Sequence, residues 1–163
     1  MARYFVFDLD GTIGRARLLD DAAPVTCETL WKRLPFSGSA GHAMLTGTSI
    51  ALYIDPAIVI PEENATVYVQ TGDVMFTHYR ERERHGFPDA LSEIYWAYDR
   101  YCRPTAPGKM TPVIPNIFAA FLPDSEAFFA QCRRMRREGT LPLTITGTTD
   151  SFGVASAGAP PTA

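Results

Sequence analysis

Three side chains in this chain place a chemically capable group inside an otherwise apolar, strand-like stretch: His42, Glu93 and Asn116. Glu93 follows Ser92 and opens an aromatic run in which Tyr95 shares its face. A carboxylate in that setting can anchor an amine or amide, or act as a base if burial raises its pKa. An imidazole offers acid/base chemistry or a hydrogen bond near neutral pH. Asn116, directly after Pro115, offers amide donors and an acceptor. Buried without partners, such groups cost about 1–3 kcal/mol each, so they must meet each other, water or a ligand. The expectation is one small-molecule site formed by His42, Glu93, Tyr95 and Asn116. The plainer readings are a satisfied core histidine, a strand-edge glutamate facing solvent, and a turn asparagine. His78, His85 and Glu93 are scattered through a charged loop and a strand and give only a weak metal signal, and neither a metal nor a cofactor is expected.

A second pair of carboxylates, Asp8 and Asp10, sits in Phe7-Asp8-Leu9-Asp10-Gly11-Thr12. This run resembles the D-x-D-G-T signature of haloacid-dehalogenase-type phosphotransferases. The resemblance implies Asp8 as nucleophile and Asp10 as general acid beside Mg²⁺. The competing reading is a β-hairpin, since Asp-Gly between two strand-like runs is a strong signal for a type I′ turn. The rest of the chain favours the hairpin. The only candidate for a distal acidic motif, Gly72-Asp73, has Thr77 where its second acid belongs, and no strand–helix alternation follows Thr12.

The elements that must position these residues are short strands and two helices. Residues 3–9 and 12–19 read as paired strands. Asp20 or Asp21 can cap a helix entered at Pro24 and ended by Pro35. Residues 38–46 and 49–54 form a second strand pair around Gly47, and Val67–Val69 and Val74–Thr77 are brief strands. The charged run from His78 to Gly86 reads as a solvated loop or exposed hairpin tip. Ser92–Tyr98 alternates, with Ile94, Trp96 and Tyr98 on one face and Glu93, Tyr95 and Ala97 on the other. A strand over 116–122 precedes a helix capped by Asp124 or Ser125. That helix ends in an arginine cluster suited to its dipole. Leu141–Thr146 is a last strand. The expected organisation is a barrel domain over 1–146 and a tail or arm over 147–163.

Many short strands with one early and one late helix predict a closed β-barrel of about eight strands with two capping helices. The sequence details agree with one fold in particular. Leu18–Leu30 and Phe36–Gly47 resemble the front half of a cyclophilin: an acidic turn, an A-P-x-T-x-E helix start, then an aromatic-x-G-S strand carrying a His. Gly14-Arg15 after Asp10-Gly11 matches the G-R pair that follows the cyclophilin hairpin. His42 falls where cyclophilins keep a His beside the catalytic Arg, whose place is taken by Ala43. The groove motifs downstream are absent. The likeness is therefore greater to bacterial cyclophilin-like proteins of unknown function. One such family has a similar A-P-x-T-C-E-x-x-W-x-x-L-P start and S-E-I strand, matched here by Asp21–Pro35 and Ser92–Ile94. This resemblance implies the fold without the isomerase. An arginine reaching the groove from another strand would restore the isomerase. Four functions follow in order: a small-molecule binding protein or minor enzyme, an interaction module or subunit of an amide-metabolising complex, a prolyl isomerase, and a Mg²⁺-dependent phosphatase.

Composition sets outer bounds. The chain has 163 residues, 46% of them apolar, and a net charge of −3. That fits one folded domain and gives no electrostatic footprint for nucleic acid. No run approaches the roughly 20 apolar residues of a membrane span, so no membrane partner is expected. Cys27, Cys102 and Cys132 are odd in number and unpaired by spacing, which implies reduced thiols and a cytoplasmic setting. An aromatic content of 12%, with Trp96, Ile117, Phe118, Phe121 and Phe128-Phe129, raises the expectation of a homo-oligomer.

Overall fold

The computed structural model describes residues 1–43, 45–84, 86–105 and 112–149. Eight antiparallel strands close into a barrel in the order β1-β2-β7-β5-β6-β4-β3-β8. The strands are β1 (Tyr4–Leu9), β2 (Thr12–Leu18), β3 (Phe36–His42), β4 (Ser49–Ile54), β5 (Asp73–Tyr79), β6 (Leu91–Ala97), β7 (Asn116–Phe121) and β8 (Leu141–Thr148). The helices are α1 (Pro24–Trp31) and α2 (Glu126–Glu138). This is the cyclophilin-like barrel that the sequence implies.

Strand alternation fills the barrel. Phe5, Phe7 and Leu9 of β1 point inward with no exposed surface, while Asp8 between them is exposed. Phe5 stacks on Trp31 of α1 with ring centroids 6.2 Å apart, and Phe7 meets Trp96 at 5.3 Å and Phe128 of α2 at 6.1 Å. The two helices thus join the barrel core at different points along β1. Trp96, Phe118 and Phe128 are fully buried and Ile117 nearly so. One protomer therefore hides most of the aromatic side chains that raised the expectation of an oligomer.

The Asp8–Asp10 segment is a hairpin. Asp10 and Gly11 both have positive φ, 50° and 84°, as a type I′ turn requires. The Asp8 carboxylate accepts the Gly11 N–H at 2.8 Å. β1 pairs directly with β2, so no helix follows Thr12 and the phosphotransferase arrangement is not built.

Four local expectations need correction. Neither Asp124 nor Ser125 caps α2 with its side chain; Ser125, at the cap position, donates its hydroxyl to the Leu122 carbonyl at 2.7 Å. Residues 67–69 are not a strand; the nearest pairing is an isolated bridge between Ala65 and Asn116. Neither Asp20 nor Asp21 caps α1. Asp20 pairs with Arg3 instead, and the first turn of α1 is capped from a distant loop by Glu63, whose carboxylate accepts the N–H of Val25 at 3.1 Å and of Thr26 at 2.8 Å. Gly147 and Thr148, assigned from sequence to the tail, continue β8 against β1; residues 150–163 lie outside the described residues.

Candidate functional site

The register of three neighbouring strands places the site. Tyr53 of β4, Glu93 of β6 and Thr77 of β5 lie in one cross-strand row, and Ala51, Tyr95 and Met75 in the next. Their immediate neighbours along each strand, such as Leu52, Ile94 and Phe76, belong to the barrel core. The two rows therefore face outward. All of their residues except Tyr53, which is 44% exposed, are nevertheless covered: Met75, Tyr95, Ala97 and Ile117 form a second apolar cluster with Cys102 from the segment after β6. Strand β6 is buried on both faces, which is why Glu93 keeps only 6% of its surface exposed.

A cavity of about 320 Å³ opens over this outer face, walled by Tyr53, Tyr79, Arg84, Glu93, Tyr95 and the edge of β3 at Ser39, Gly41 and His42. Its polar centre is an ion pair. Arg84 Nη1 donates to Glu93 Oε2 at 2.7 Å, and Tyr79 Oη donates to Glu93 Oε1 at 2.9 Å. Arg84 Nη2 donates to Tyr53 Oη at 2.7 Å. The guanidinium also lies over the rings of Tyr53, Tyr79 and Phe87, at 4.7, 5.2 and 5.4 Å from their centroids. Tyr95 Oη and Thr77 Oγ1 are 3.1 Å apart beneath this layer.

The electrostatics follow from burial. Burial alone would lower the pKa of Arg84, but the Glu93 charge and hydrogen bond, with smaller contributions from Tyr53 and Tyr79, raise it above its usual value. Burial pushes the phenols of Tyr53, Tyr79 and Tyr95 up, and the Glu93 charge pushes each further. The cavity thus holds the Arg84–Glu93 ion pair beside phenols that stay neutral at neutral pH.

The four residues singled out from sequence do not form one cluster. Glu93 and Tyr95 share the outer face. His42 stands in register with Ile50, which is opposite the core residue Trp96, and reaches only the cavity's edge. Both its ring nitrogens have partners: Nδ1 lies 2.8 Å from the Ala43 carbonyl, and Nε2 lies 2.6 Å from Tyr98 Oη. The neutral Nδ1–H tautomer satisfies both, with Tyr98 donating to Nε2. Burial lowers its pKa below 6.5. Asn116 is elsewhere, in register with the core residue Phe76. Its Nδ2 donates to Thr26 Oγ1 at 3.1 Å and to the Pro61 carbonyl at 2.8 Å, while its Oδ1 accepts the Glu63 N–H at 3.0 Å. It ties the 58–64 segment and α1 to β7. Alternation along one strand could not foresee this, because the partners lie 53 or more residues away.

Arg84, Tyr79 and Tyr53 were missed. The hairpin-tip reading fits Arg80–Glu83, which are exposed. Arg84, however, folds back until its side chain is 13% exposed. The signal that could have found it is the pairing of Tyr53 with Glu93 across β4 and β6, which puts an aromatic and a carboxylate side by side within reach of the β5–β6 loop. A second hollow of about 570 Å³ beside Asn116 is more open; of its ionisable groups Glu62, Arg80 and Glu83 are exposed, His78 is half-buried and Tyr79 is buried. The smaller cavity holds the convergent buried groups.

Comparison with known proteins places the chain. The family described as "Protein of unknown function (DUF3830)" matches residues 6–147. No curated protein matches. Among solved structures, one described as the structure of McbB in complex with tryptophan superposes with a TM-score of 0.63 at 14% identity, covering 91% of this chain. This chain spans 46% of that protein's length.

Proposed function

We propose that this chain, which belongs to the DUF3830 family, binds a small organic molecule in the outer-face cavity. The observation that carries the reading is the Arg84–Glu93 ion pair, set in a cavity of about 320 Å³ among three tyrosines. The volume lies at the lower end of the range of about 300–1,000 Å³ typical of small-molecule sites. An apolar wall with a few convergent polar groups is the usual composition of such sites. McbB, whose structure shares this fold, was solved in complex with tryptophan, a compact amphipathic molecule. Glu93 and Tyr95 hold the ligand from the strand, and Arg84, Tyr53 and Tyr79 hold it from above.

The test is a fragment screen by ligand-observed NMR on the wild-type protein and on Ala51→Phe, which fills the cavity from its β4 wall. Fragments should bind the wild type and be lost from the filled variant. Hits that survive the substitution unchanged, or an absence of hits, would overturn the proposal.

A prolyl-isomerase reading has one specific observation in its favour. Arg84 reaches a cavity also lined by His42 and Ala43, so an arginine enters from another element where the sequence places alanine. Against it, this guanidinium is already bound to a carboxylate, which reduces its ability to polarise a substrate amide.

A further inference from the structure

The charge pattern of the cavity narrows its ligand. Resting on the small-molecule reading above, we infer that the site selects compact zwitterions, molecules that carry an ammonium and a carboxylate on one small apolar or aromatic frame, over the matching amines and acids.

The pair that lines the cavity is nearly withdrawn from water, with side chains 13% and 8% exposed for Arg84 and Glu93. Its net charge is zero. A ligand with a single charge would meet one attractive and one repulsive partner at nearly the same place, and would bring its own desolvation cost. A zwitterion matches both, its ammonium at Glu93 and its carboxylate at Arg84. The ion pair need not break to admit it. A carboxylate has about four acceptor positions and a guanidinium five N–H donors. Among the described residues Glu93 accepts from Tyr79 and Arg84, and Arg84 donates to Glu93 and Tyr53.

Two further features point the same way. Tyr53 accepts a hydrogen bond from Arg84, so its own O–H is directed to another acceptor, which a bound carboxylate supplies. The ring faces of Tyr53, Tyr79 and Phe87 already carry the Arg84 guanidinium. A ligand ammonium is therefore steered to the Glu93 carboxylate rather than to an aromatic cage.

Three probes of matched shape test this by isothermal titration: phenylalanine, phenethylamine and 3-phenylpropionate. Phenylalanine should bind at least about tenfold more tightly than either singly charged analogue. In Glu93→Gln the advantage over 3-phenylpropionate should disappear, and in Arg84→Gln the advantage over phenethylamine should disappear. The comparison in the wild-type protein decides the matter even if a variant fails to fold. Equal binding of a singly charged probe would overturn the inference and leave the small-molecule reading intact. So would failure of all three probes while other fragments enter the cavity. Failure of every fragment would remove both.

Discussion

Arg84 and Glu93 are nine residues apart in the chain, one on a hairpin loop and the other in the middle of a strand buried on both faces, and their charged atoms meet at 2.7 Å. The two ends of this pair are not equivalent. Arg84 comes from a loop whose preceding residues, Arg80–Glu83, are exposed, whereas Glu93 is fixed in β6 between β4 and β5.

Arg84→Ala should therefore destabilise the protein more than Glu93→Gln. Removing the cation leaves a carboxylate held in place with Tyr79 as its remaining partner, at a cost of about 3 kcal/mol. The neutral amide keeps a carbonyl oxygen for Arg84 and can donate its N–H to the Tyr79 oxygen, and its cost should be about 1 kcal/mol. Urea unfolding curves for the two variants check the order. A larger loss for Glu93→Gln would contradict the asymmetry.

Asn116→Ala should cost about 2–4 kcal/mol, because it leaves the Glu63 N–H, the Pro61 carbonyl and Thr26 Oγ1 without their shared partner. Ligand affinity in the Arg84–Glu93 cavity should remain unchanged. Chemical denaturation combined with titration of any ligand found there separates these effects. A selective loss of affinity would return Asn116 to the site.

Acid should loosen α1 through Glu63. Burial pushes its pKa up, but hydrogen bonds from the Thr26 and Val25 N–H groups and the Thr26 hydroxyl outweigh this and hold it below 4.5. Its contribution is thus fully present above about pH 4.5 and lost as pH falls through the lower folded value. Glu63→Gln should flatten the acid limb of the stability curve, measured as urea midpoints across about pH 3–6. An acid limb as steep as that of the wild type would rule this cap out as the source.

His42 should titrate below 6.5, since burial disfavours its cation. The unfolded chain then binds the proton more readily, so stability linked to His42 is complete above pH 6.5 and declines as pH falls toward the folded value. NMR of the ring should report the Nδ1–H tautomer and a depressed midpoint. A raised midpoint, or the Nε2–H tautomer, would contradict the pairing with Ala43 and Tyr98.

Prolyl isomerase activity should be absent or far below that of a cyclophilin. Donors aimed at a reacting amide typically contribute about 3–4 kcal/mol, and the one arginine lining this cavity among the described residues is bound to Glu93. A protease-coupled peptide assay with a cyclophilin-like rate would show that Arg84 leaves Glu93 during turnover.

The barrel was legible because its signals are local. Asp10-Gly11 fixes a hairpin by φ, Phe5, Phe7 and Leu9 alternate, and the Ile94, Trp96, Tyr98 face reads directly as core. Glu93 and Tyr95 were legible for the same reason. Arg84 was hidden in a run of alternating charges whose other members are solvated, and only the fold shows that one of them turns inward. The cap on α1 was hidden because its carboxylate comes from Glu63, not from the adjacent Asp20 or Asp21. His42 and Asn116 satisfy the demand that buried polar groups find partners, but apart from the adjacent Ala43 carbonyl they do so with Tyr98, Thr26, Pro61 and Glu63, each far away in sequence.

The position of β8 bears on how the chain is made. β8 lies between β1 and β3 and pairs with both, joining Tyr4 to Thr148 and Phe36 to Ile145. Until Leu141 and the residues after it are available, two strands present bare hydrogen-bonding edges to each other across a gap the width of one strand. Such edges are templates for pairing with another chain. During synthesis from the N-terminus, the barrel therefore cannot close before nearly the whole domain has emerged. A fragment truncated ahead of β8 would carry the same open seam permanently.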